Sequence, residues 1–217
     1  MKSKVPFIAV FTLLASNFSN FATGQTDVTT FNAGEETTKP AGSEVSPPLL
    51  PQQKQTTLGL YVTAKEAYEK WKAAPDKLKI IDVRTREECL FLGHPAMAWK
   101  IPIAVQTWEW DTEKNEFPMK PLPDFVSRVK EIAEPNDTLL VMCRSGGRGA
   151  IAVNMLAKAG FEHVYNITDG MEGDAVKDPE SLYNGQRLKN GWKNSGIPWT
   201  YKPNPERMRF IRNESEE

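Results

Sequence analysis

The chain alternates short apolar runs with segments of helical periodicity. The runs at 78–83, 138–142 and 164–167 are β-branched or leucine-rich and have the length of buried strands. Apolar residues at 152, 155, 156 and 159 follow the i, i+3, i+4, i+7 spacing of a helix. Strands separated by helices pair in parallel, because a parallel pair needs a long crossover connection. The alternation therefore predicts an α/β domain whose mostly parallel sheet carries helices on both faces.

Local signals predict where other elements of this domain begin. Thr63 with Glu66, and Thr85 with Glu88, have the spacing of capping boxes, so each threonine should start a helix. Pro123 should begin a helix that ends before Pro135, and a short strand is expected within 99–105.

The charge balance excludes several classes of partner. The 217 residues include 27 basic and 28 acidic side chains, which leaves a formal net charge of -1. Such a chain has no net positive charge that would attract nucleic acid or an anionic membrane. Its six tryptophans are not accompanied by a run of basic residues that could bind the backbone of a nucleic acid. We therefore predict no nucleic-acid partner, and function has to be sought in a local site.

The first 24 residues are interpreted as a signal peptide. Lys2 and Lys4 precede an apolar run at 5–15, and Ala22 and Gly24 provide small residues before a cut near Gln25. The apolar run is about half the roughly 20 residues that a membrane-spanning helix needs. We expect a periplasmic or secreted protein with no stable membrane insertion after cleavage; an uncleaved anchor is the alternative.

Composition divides the rest of the chain. Residues 25–57 are rich in Thr, Pro and Gln and are predicted to be a disordered linker. Residues 58–202 carry the alternating pattern and form one predicted domain, and residues 203–217 are a polar tail that should fray.

Cys143 is the candidate catalytic residue. It directly follows the predicted strand 138–142 and precedes a predicted helix, so it lies at the carboxyl end of the sheet, where ligands of α/β proteins bind. The loop between them, whose backbone amides should form a substrate-binding or anion-binding nest, consists of Arg144, Ser145, Gly146, Gly147 and Arg148. These donors should favour a thiolate and hold a persulfide, with no metal or organic cofactor.

Other residues allow structural as well as functional interpretations. Asp82 and Arg84 should form a buried pair that supports the catalytic loop. Cys89 is interpreted as a buried apolar residue, although an oxidising compartment also allows a disulfide or redox pair with Cys143. His94 is expected to satisfy backbone groups in a turn, and His163 has no companion ligands, so no metal site is predicted.

Three separated segments resemble the rhodanese-like family of sulfurtransferases. The loop Cys-Arg-Ser-Gly-Gly-Arg at 143–148 is similar to the family's active-site loop. Residues 81–84 with Glu88 and the Gly-His-Pro at 93–95 resemble its first signature, and Gly-Phe at 160–161 with Asp-Gly-Met at 169–171 resemble the stretch after the catalytic helix. The resemblance covers roughly residues 58–201.

The resemblance implies a five-stranded domain in which Cys143 carries sulfur as a persulfide. It implies thiosulfate or another small sulfane-sulfur compound as donor. We further predict a protein among the candidate acceptors, and expect Arg148 to orient the loop or bind the donor. Phosphatases of the same fold have a loop one residue longer than this one, so the loop length favours sulfur over phosphate. A non-catalytic module that binds an anion or a protein is the competing interpretation.

The sequence departs from the family pattern in two insertions. One, at 106–121, contains three aromatic residues; the other, at 175–190, goes with a tryptophan displaced to Trp192. Either insertion could overhang the active site to restrict donors or dock a partner, or could be an ordinary surface excursion.

Overall fold

A five-stranded parallel sheet organises the domain. The computed structural model describes residues 50–209 of the chain. In chain order the strands are β1 (Tyr61–Val62), β2 (Leu78–Asp82), β3 (Trp99–Lys100), β4 (Ala104–Gln106), β5 (Met119–Pro121), β6 (Thr138–Met142) and β7 (Val164–Ile167). The main sheet has the order β1-β7-β6-β2-β3 with every pair parallel, while β4 and β5 form a separate antiparallel hairpin. The predicted fold class is confirmed.

Four α-helices connect and cover the sheet: α1 (Ala64–Ala73), α2 (Arg86–Leu92), α3 (Phe125–Lys130) and α4 (Gly147–Lys158). Both predicted capping boxes form, at Thr63 before α1 and at Thr85 before α2. In each, the threonine side chain accepts a backbone N–H and the glutamate accepts the threonine N–H, so two unpaired donors of the helix end are satisfied.

The core has two halves, one on each face of the sheet. Alternate residues of β6 belong to different halves, with Leu139 and Val141 in one and Leu140 and Met142 in the other. The first half is covered by α3 and α4, the second by α1 and the buried ring of Trp192. This is the strand periodicity of two, with each face buried under helices.

The tryptophan displaced to position 192 is therefore a core residue. Its ring is fully buried, meets Tyr68 edge to face at 5.9 Å, and donates its indole N–H to the Pro198 carbonyl at 2.9 Å.

Some predicted boundaries differ from the structure. The strand expected within 99–105 is divided, since β3 ends at Lys100 and β4 begins at Ala104 on the other side of Pro102. The helix expected between Pro123 and Pro135 is shorter, because α3 ends at Lys130 and continues only as a turn.

Ordered structure also extends past both ends of the predicted domain. A 3-10 helix at Gln52–Lys54 lies within the predicted linker, and the Lys54 side chain is largely buried and bound to Asp174 at 2.8 Å. A second 3-10 helix, Pro205–Arg207, precedes the buried Met208 within the predicted tail.

The signal-peptide interpretation of residues 1–24, and most of the predicted linker and tail, lie outside the described residues. No helix within residues 50–209 combines the length and hydrophobicity that crossing a membrane requires.

Lys100 is a fully buried amine at the end of β3. Its Nζ donates to the carbonyl oxygens of Ala98 at 2.8 Å and Pro95 at 3.3 Å, and the structure gives it no ion pair among residues 50–209. Burial lowers the pKa of this amine to about 8 and outweighs the opposing charge of Asp82, while the smaller effects of Arg207 and Arg84 act in the same direction as burial.

We predict that Lys100 makes stability rise with pH in the mildly alkaline range. The unfolded chain, whose lysine titrates near 10.5, binds one more proton than the folded chain between pH 8 and 10.5, so the free energy of unfolding increases across this window. In Lys100→Gln, which keeps a donor but cannot titrate, this contribution should vanish. Urea unfolding under reducing conditions should show the wild type gaining up to about 3 kcal/mol on the variant from pH 8 to 10.5. A constant difference would contradict the prediction.

Candidate active site

Cys143 lies where β6 leaves the sheet and α4 approaches it. Its side chain is enclosed, and its Sγ accepts the backbone N–H of Gly146 at 3.1 Å. Gly146 adopts a left-handed conformation with φ +98°, which turns the chain sharply enough to bring this amide back onto the sulfur. The loop is therefore a tight cradle with the thiol at its base.

The start of α4 adds to this cradle. The helix begins at Gly147, and no side chain caps it at Gly146. The first N–H groups of a helix have no partner within it, and together with the helix dipole they favour an anion. The 143–148 loop thus combines a thiol with a helix end that suits negative charge.

A neighbouring turn forms hydrogen bonds with the backbone of the catalytic loop. The N–H of Met171 donates to the Cys143 carbonyl at 2.8 Å, and the N–H of Glu172 donates to the Arg144 carbonyl at 2.9 Å. Gly170, at φ +58°, lies so close that a Cβ there would be 2.4 Å from the Cys143 carbonyl oxygen. The turn and the loop are in backbone contact, and glycine is what permits it.

Asn166 holds the loop from the side. This buried β7 residue donates its amide to the Gly146 carbonyl at 3.1 Å and to the Lys54 carbonyl at 2.9 Å. A Cβ on Gly149 would be 2.4 Å from Asn166 Oδ1, so the first turn of α4 packs directly on this amide. Asn166 therefore ties the loop to the 3-10 helix that precedes β1.

Arg148, the last residue of the loop, pairs with Glu88 of α2. Its Nη1 and Nη2 bind the two carboxylate oxygens, each at 2.6 Å, and both side chains are mostly buried. Burial alone would raise the pKa of Glu88, but the hydrogen bonds and charge of Arg148 outweigh it and hold that pKa below its usual value. The bidentate pair fixes the start of α4 against α2.

The other residues predicted to form or support the site differ in their exposure and contacts. Arg144 is exposed at the rim of the loop, and Ser145 and Gly147 are half-buried. Asp82 and Arg84 form the expected buried pair, with Nη2 to Oδ2 at 2.7 Å, but the pair's further contacts run to the Gly93 carbonyl and the Cys89 thiol. Side-chain hydrogen bonds to the catalytic loop come instead from Glu88, at Arg148, and from Asn166, at the Gly146 carbonyl.

Cys89 and His94 are both enclosed. Both cysteines are free thiols, and Cys89 donates to Asp82 at 3.7 Å, while burial and the Asp82 charge raise the pKa of that thiol. His94 exchanges both backbone hydrogen bonds with Thr200, and its Nδ1 lies 3.3 Å from the Cys89 carbonyl. Burial lowers the pKa of His94, so a neutral ring is favoured. Among residues 50–209, no group of His, Cys, Asp and Glu is arranged to hold a metal ion.

Glu88, Asn166 and Lys54 are the site residues that sequence reasoning did not single out. Glu88 carried a signal only as a capping residue and as part of the first signature. Asn166 is polar within an otherwise apolar strand, which marks a buried amide that must find partners. Lys54 had no local signal, because its burial depends on Asp174, 120 positions later.

These features agree with comparisons to known proteins. The sequence model of the family described as "Rhodanese-like domain" matches residues 63–175. An uncharacterized protein of Rickettsia conorii is 30% identical over 126 residues, which cover 58% of this chain and 85% of the relative. The chain belongs to the rhodanese-like domain family, whose members bind small sulfur-containing substrates and include sulfurtransferases.

Two further comparisons are consistent with this assignment. "Thiosulfate sulfurtransferase 16, chloroplastic" of Arabidopsis thaliana is 33% identical over 92 residues, 42% of this chain and 69% of the relative. The crystal structure of Rv0390 from M. tuberculosis is similar with a TM-score of 0.51 and 24% identity, and the match covers 65% of this chain and 96% of that one. This structural likeness concerns the fold alone.

We predict that Glu88→Gln destabilises the protein by about 2 kcal/mol at pH 7, because Arg148 loses the charge that compensates its burial. Gln keeps the capping role, so Glu66→Gln, which alters the equivalent residue of the other capping box, is the matched control and should cost less than about 0.5 kcal/mol.

The same pair predicts a pH dependence in acid. Since the folded-state pKa of Glu88 is depressed, its stabilisation is complete above about 4.5 and is lost as pH falls through the folded-state value. Urea unfolding of the wild type and Glu88→Gln should therefore converge at low pH. Equal stability at pH 7 would show that the pair contributes nothing.

Gly170→Ala should disturb the catalytic loop, whereas Gly59→Ala should not. Both glycines have similar φ values, +58° and +64°, so both substitutions carry the left-handed cost of about 1 kcal/mol. Only at Gly170 does the new Cβ meet the backbone of Cys143 and Arg144, which should add about 1–3 kcal/mol. Urea unfolding measures the difference, and amide chemical shifts of residues 143–148 should move in Gly170→Ala alone. Equal losses and unchanged shifts would refute the contact.

Proposed function

We propose that this protein is a sulfurtransferase that carries sulfane sulfur as a persulfide on Cys143. The observation that carries the proposal is the Gly146 N–H at 3.1 Å from Cys143 Sγ, in a loop that opens directly into the uncapped end of α4. That environment suits a sulfur atom that is negative before transfer and becomes the inner atom of an anionic persulfide afterwards.

The first half-reaction loads the cysteine. The Cys143 thiolate attacks the outer sulfur of thiosulfate, an S–S bond forms to Cys143, and the bond to the sulfonate sulfur breaks. Sulfite leaves with the electron pair of that bond, so atoms and charge balance without a proton or an external oxidant. The amides of the 143–148 loop would stabilise the terminal sulfur, which now holds the negative charge.

The second half-reaction unloads it. A nucleophilic acceptor such as cyanide or a thiolate attacks the outer sulfur and takes it, and Cys143 leaves as a thiolate ready for another cycle. No step requires a metal or organic cofactor.

The two arginines of the catalytic loop would have different roles. The Nη1 and Nη2 atoms of Arg148 are engaged by Glu88, which favours a role in orienting the loop. Arg144 is exposed at the rim, where its charge would attract an anionic donor. Asp82 and Arg84 would act one step further away, by fixing the segment at Gly93.

The enclosure of Cys89 supports this function over a thiol redox pair. Its thiol is fully buried and bound to Asp82, and its raised pKa disfavours the thiolate that disulfide exchange requires. Export remains part of the proposal, on the basis of Lys2, Lys4 and the apolar run at 5–15.

Intact-mass spectrometry tests the chemistry. After incubation with thiosulfate, and separately with polysulfide, the wild type should gain the mass of one sulfur atom and lose it on addition of cyanide. Cys143→Ser should gain nothing, whereas Cys89→Ala, the control for the second thiol, should still be loaded. Protein isolated from its own cells should in addition lack residues 1–24.

Failure to load with any sulfane-sulfur donor would overturn the sulfurtransferase proposal. Loss of two hydrogens on oxidation, absent from Cys89→Ala, would point to a redox pair. A wild-type mass that retains residues 1–24 would contradict cleavage but leave the sulfur chemistry standing.

A further inference from the structure

A cleft beside the catalytic loop contains both aromatic rings and carboxylates. It has a volume of about 420 Å³ and lies between α2 and the β4–β5 hairpin. Its lining consists of Thr85, Glu87, Glu88, Gln106, Trp108 and Phe117. The cleft therefore joins the first signature of the family to the 106–121 insertion.

The aromatic wall of the cleft is exposed. Trp108 is 75% exposed and Phe117 44%, and their ring centroids lie 6.1 Å apart with the planes inclined at 59°. Trp110 packs edge to face on Phe117 at 5.0 Å, which helps to fix the position of the Phe117 ring. Tilted aromatic faces left open to solvent are the arrangement that attracts an organic cation.

The opposite wall is acidic, and one carboxylate there is uncompensated. Glu88 is neutralised by Arg148. Glu87 is half-buried in the cleft, and within residues 50–209 its side chain has no hydrogen bond or ion pair. A partly buried carboxylate that shares a cleft with aromatic rings, and that pairs with no cation among residues 50–209, is complementary to a ligand that brings one.

The cleft is adjacent to the chemistry. Glu88 forms part of its lining and binds Arg148, the last residue of the catalytic loop. Met119, at the start of β5, also contacts Arg148, with Sδ 3.7 Å from Nη1. A molecule in the cleft is therefore next to the loop that holds Cys143.

We propose that this cleft is a subsite for the sulfur acceptor, and that it binds an alkylammonium or guanidinium group between Trp108 and Phe117, paired with Glu87. The proposal rests on the sulfurtransferase function above and adds a preference for cationic acceptors. Donor and acceptor then bind to different groups of the protein. The anionic donor binds to the backbone amides of the catalytic loop, and the cation of the acceptor binds to the aromatic and acidic walls of the cleft.

The transfer step itself is unchanged. The acceptor loses its thiol proton to solvent, its thiolate attacks the outer sulfur of the Cys143 persulfide, and the S–S bond to Cys143 breaks. The products are the acceptor persulfide and the Cys143 thiolate. The subsite contributes by raising the fraction of encounters in which the acceptor thiol lies near the persulfide.

Discharge kinetics with matched thiols test the preference. Cys143 persulfide is prepared with thiosulfate, excess donor is removed, and its discharge by cysteamine, which is cationic, is compared with discharge by 2-mercaptoethanol, which is neutral. The ratio of the two second-order rate constants is compared between proteins, so that the intrinsic reactivity of each thiol cancels. We expect Glu87→Gln and Trp108→Leu each to lower this ratio about 3- to 10-fold.

Glu134→Gln is the matched control. It also removes a carboxylate, but a more exposed one that lies outside the cleft and the catalytic loop, and the ratio should stay within about twofold of the wild type. Peptide acceptors distinguish the source of the cation: Ala-Lys-Cys-Ala against Ala-Glu-Cys-Ala repeats the comparison with a side chain instead of a small amine. A ratio unchanged by both cleft substitutions, for both acceptor pairs, would overturn the proposal.

A binding measurement separates this proposal from the function on which it rests. The indole N–H signal of Trp108, identified by its absence from Trp108→Leu, should shift on titration with n-butylammonium, not with n-butanol, and the shift should be lost in Glu87→Gln. This result is independent of persulfide formation. If Cys143 is loaded with sulfur but the signal does not shift, the protein is a sulfurtransferase and the subsite proposal is wrong. If the signal shifts but Cys143 is not loaded, the cleft binds cations and the sulfurtransferase proposal is wrong.

Discussion

The parallel pairing of β6 with β2 on one side and β7 on the other determines where everything else in the site lies. Because the three strands run in the same direction, their carboxyl ends deliver residues 82–84, 143–148 and 168–173 to one edge of the sheet. Residues distant in the chain thereby meet within hydrogen-bonding distance, as Met171 and Cys143 do. The register Val141 opposite Asn166 also brings the Asn166 amide alongside the loop that follows β6.

The loop depends on being held from several directions at once. An anion nest needs its N–H groups to converge, and a chain with two adjacent glycines would otherwise sample many other conformations. Here the carbonyl groups of Cys143, Arg144 and Gly146 are all engaged by groups outside the loop, and the last side chain is fixed by Glu88. With these carbonyls bound to groups outside the loop, the Gly146 N–H is left to donate to the Cys143 sulfur.

What the sequence predicts well are the features that depend on neighbouring residues. The strand 138–142 and both capped helices match because a buried apolar run and a capping box are local signals. The position of Cys143 at a strand end follows from the same reasoning. The segment 99–105 was expected to hold one short strand, because most of its residues are apolar. It divides into two strands because Pro102 has no backbone N–H to donate to a neighbouring strand.

What local sequence could not supply are the contacts between distant residues. Arg148 finds Glu88 60 positions earlier, and Asn166 finds Lys54 112 positions earlier. The ends of the domain were predicted too short for the same reason. Residues 50–57 and 203–209 are polar in composition, and contacts with residues elsewhere in the fold order them. Lys54 is an example, since its charge is compensated by Asp174 and its stem packs near Gly146.

The Asn166 amide has a consequence for the size of the working unit. One side chain bonds both Lys54 and Gly146, so the short segment ahead of β1 forms part of the wall of the catalytic loop. The match to the family's sequence model begins only at residue 63, yet a chain trimmed to that point would lose the Lys54 carbonyl and expose one side of Gly146. The smallest piece that keeps the cysteine's surroundings complete therefore starts about ten residues before the family's own boundary, at the 3-10 helix.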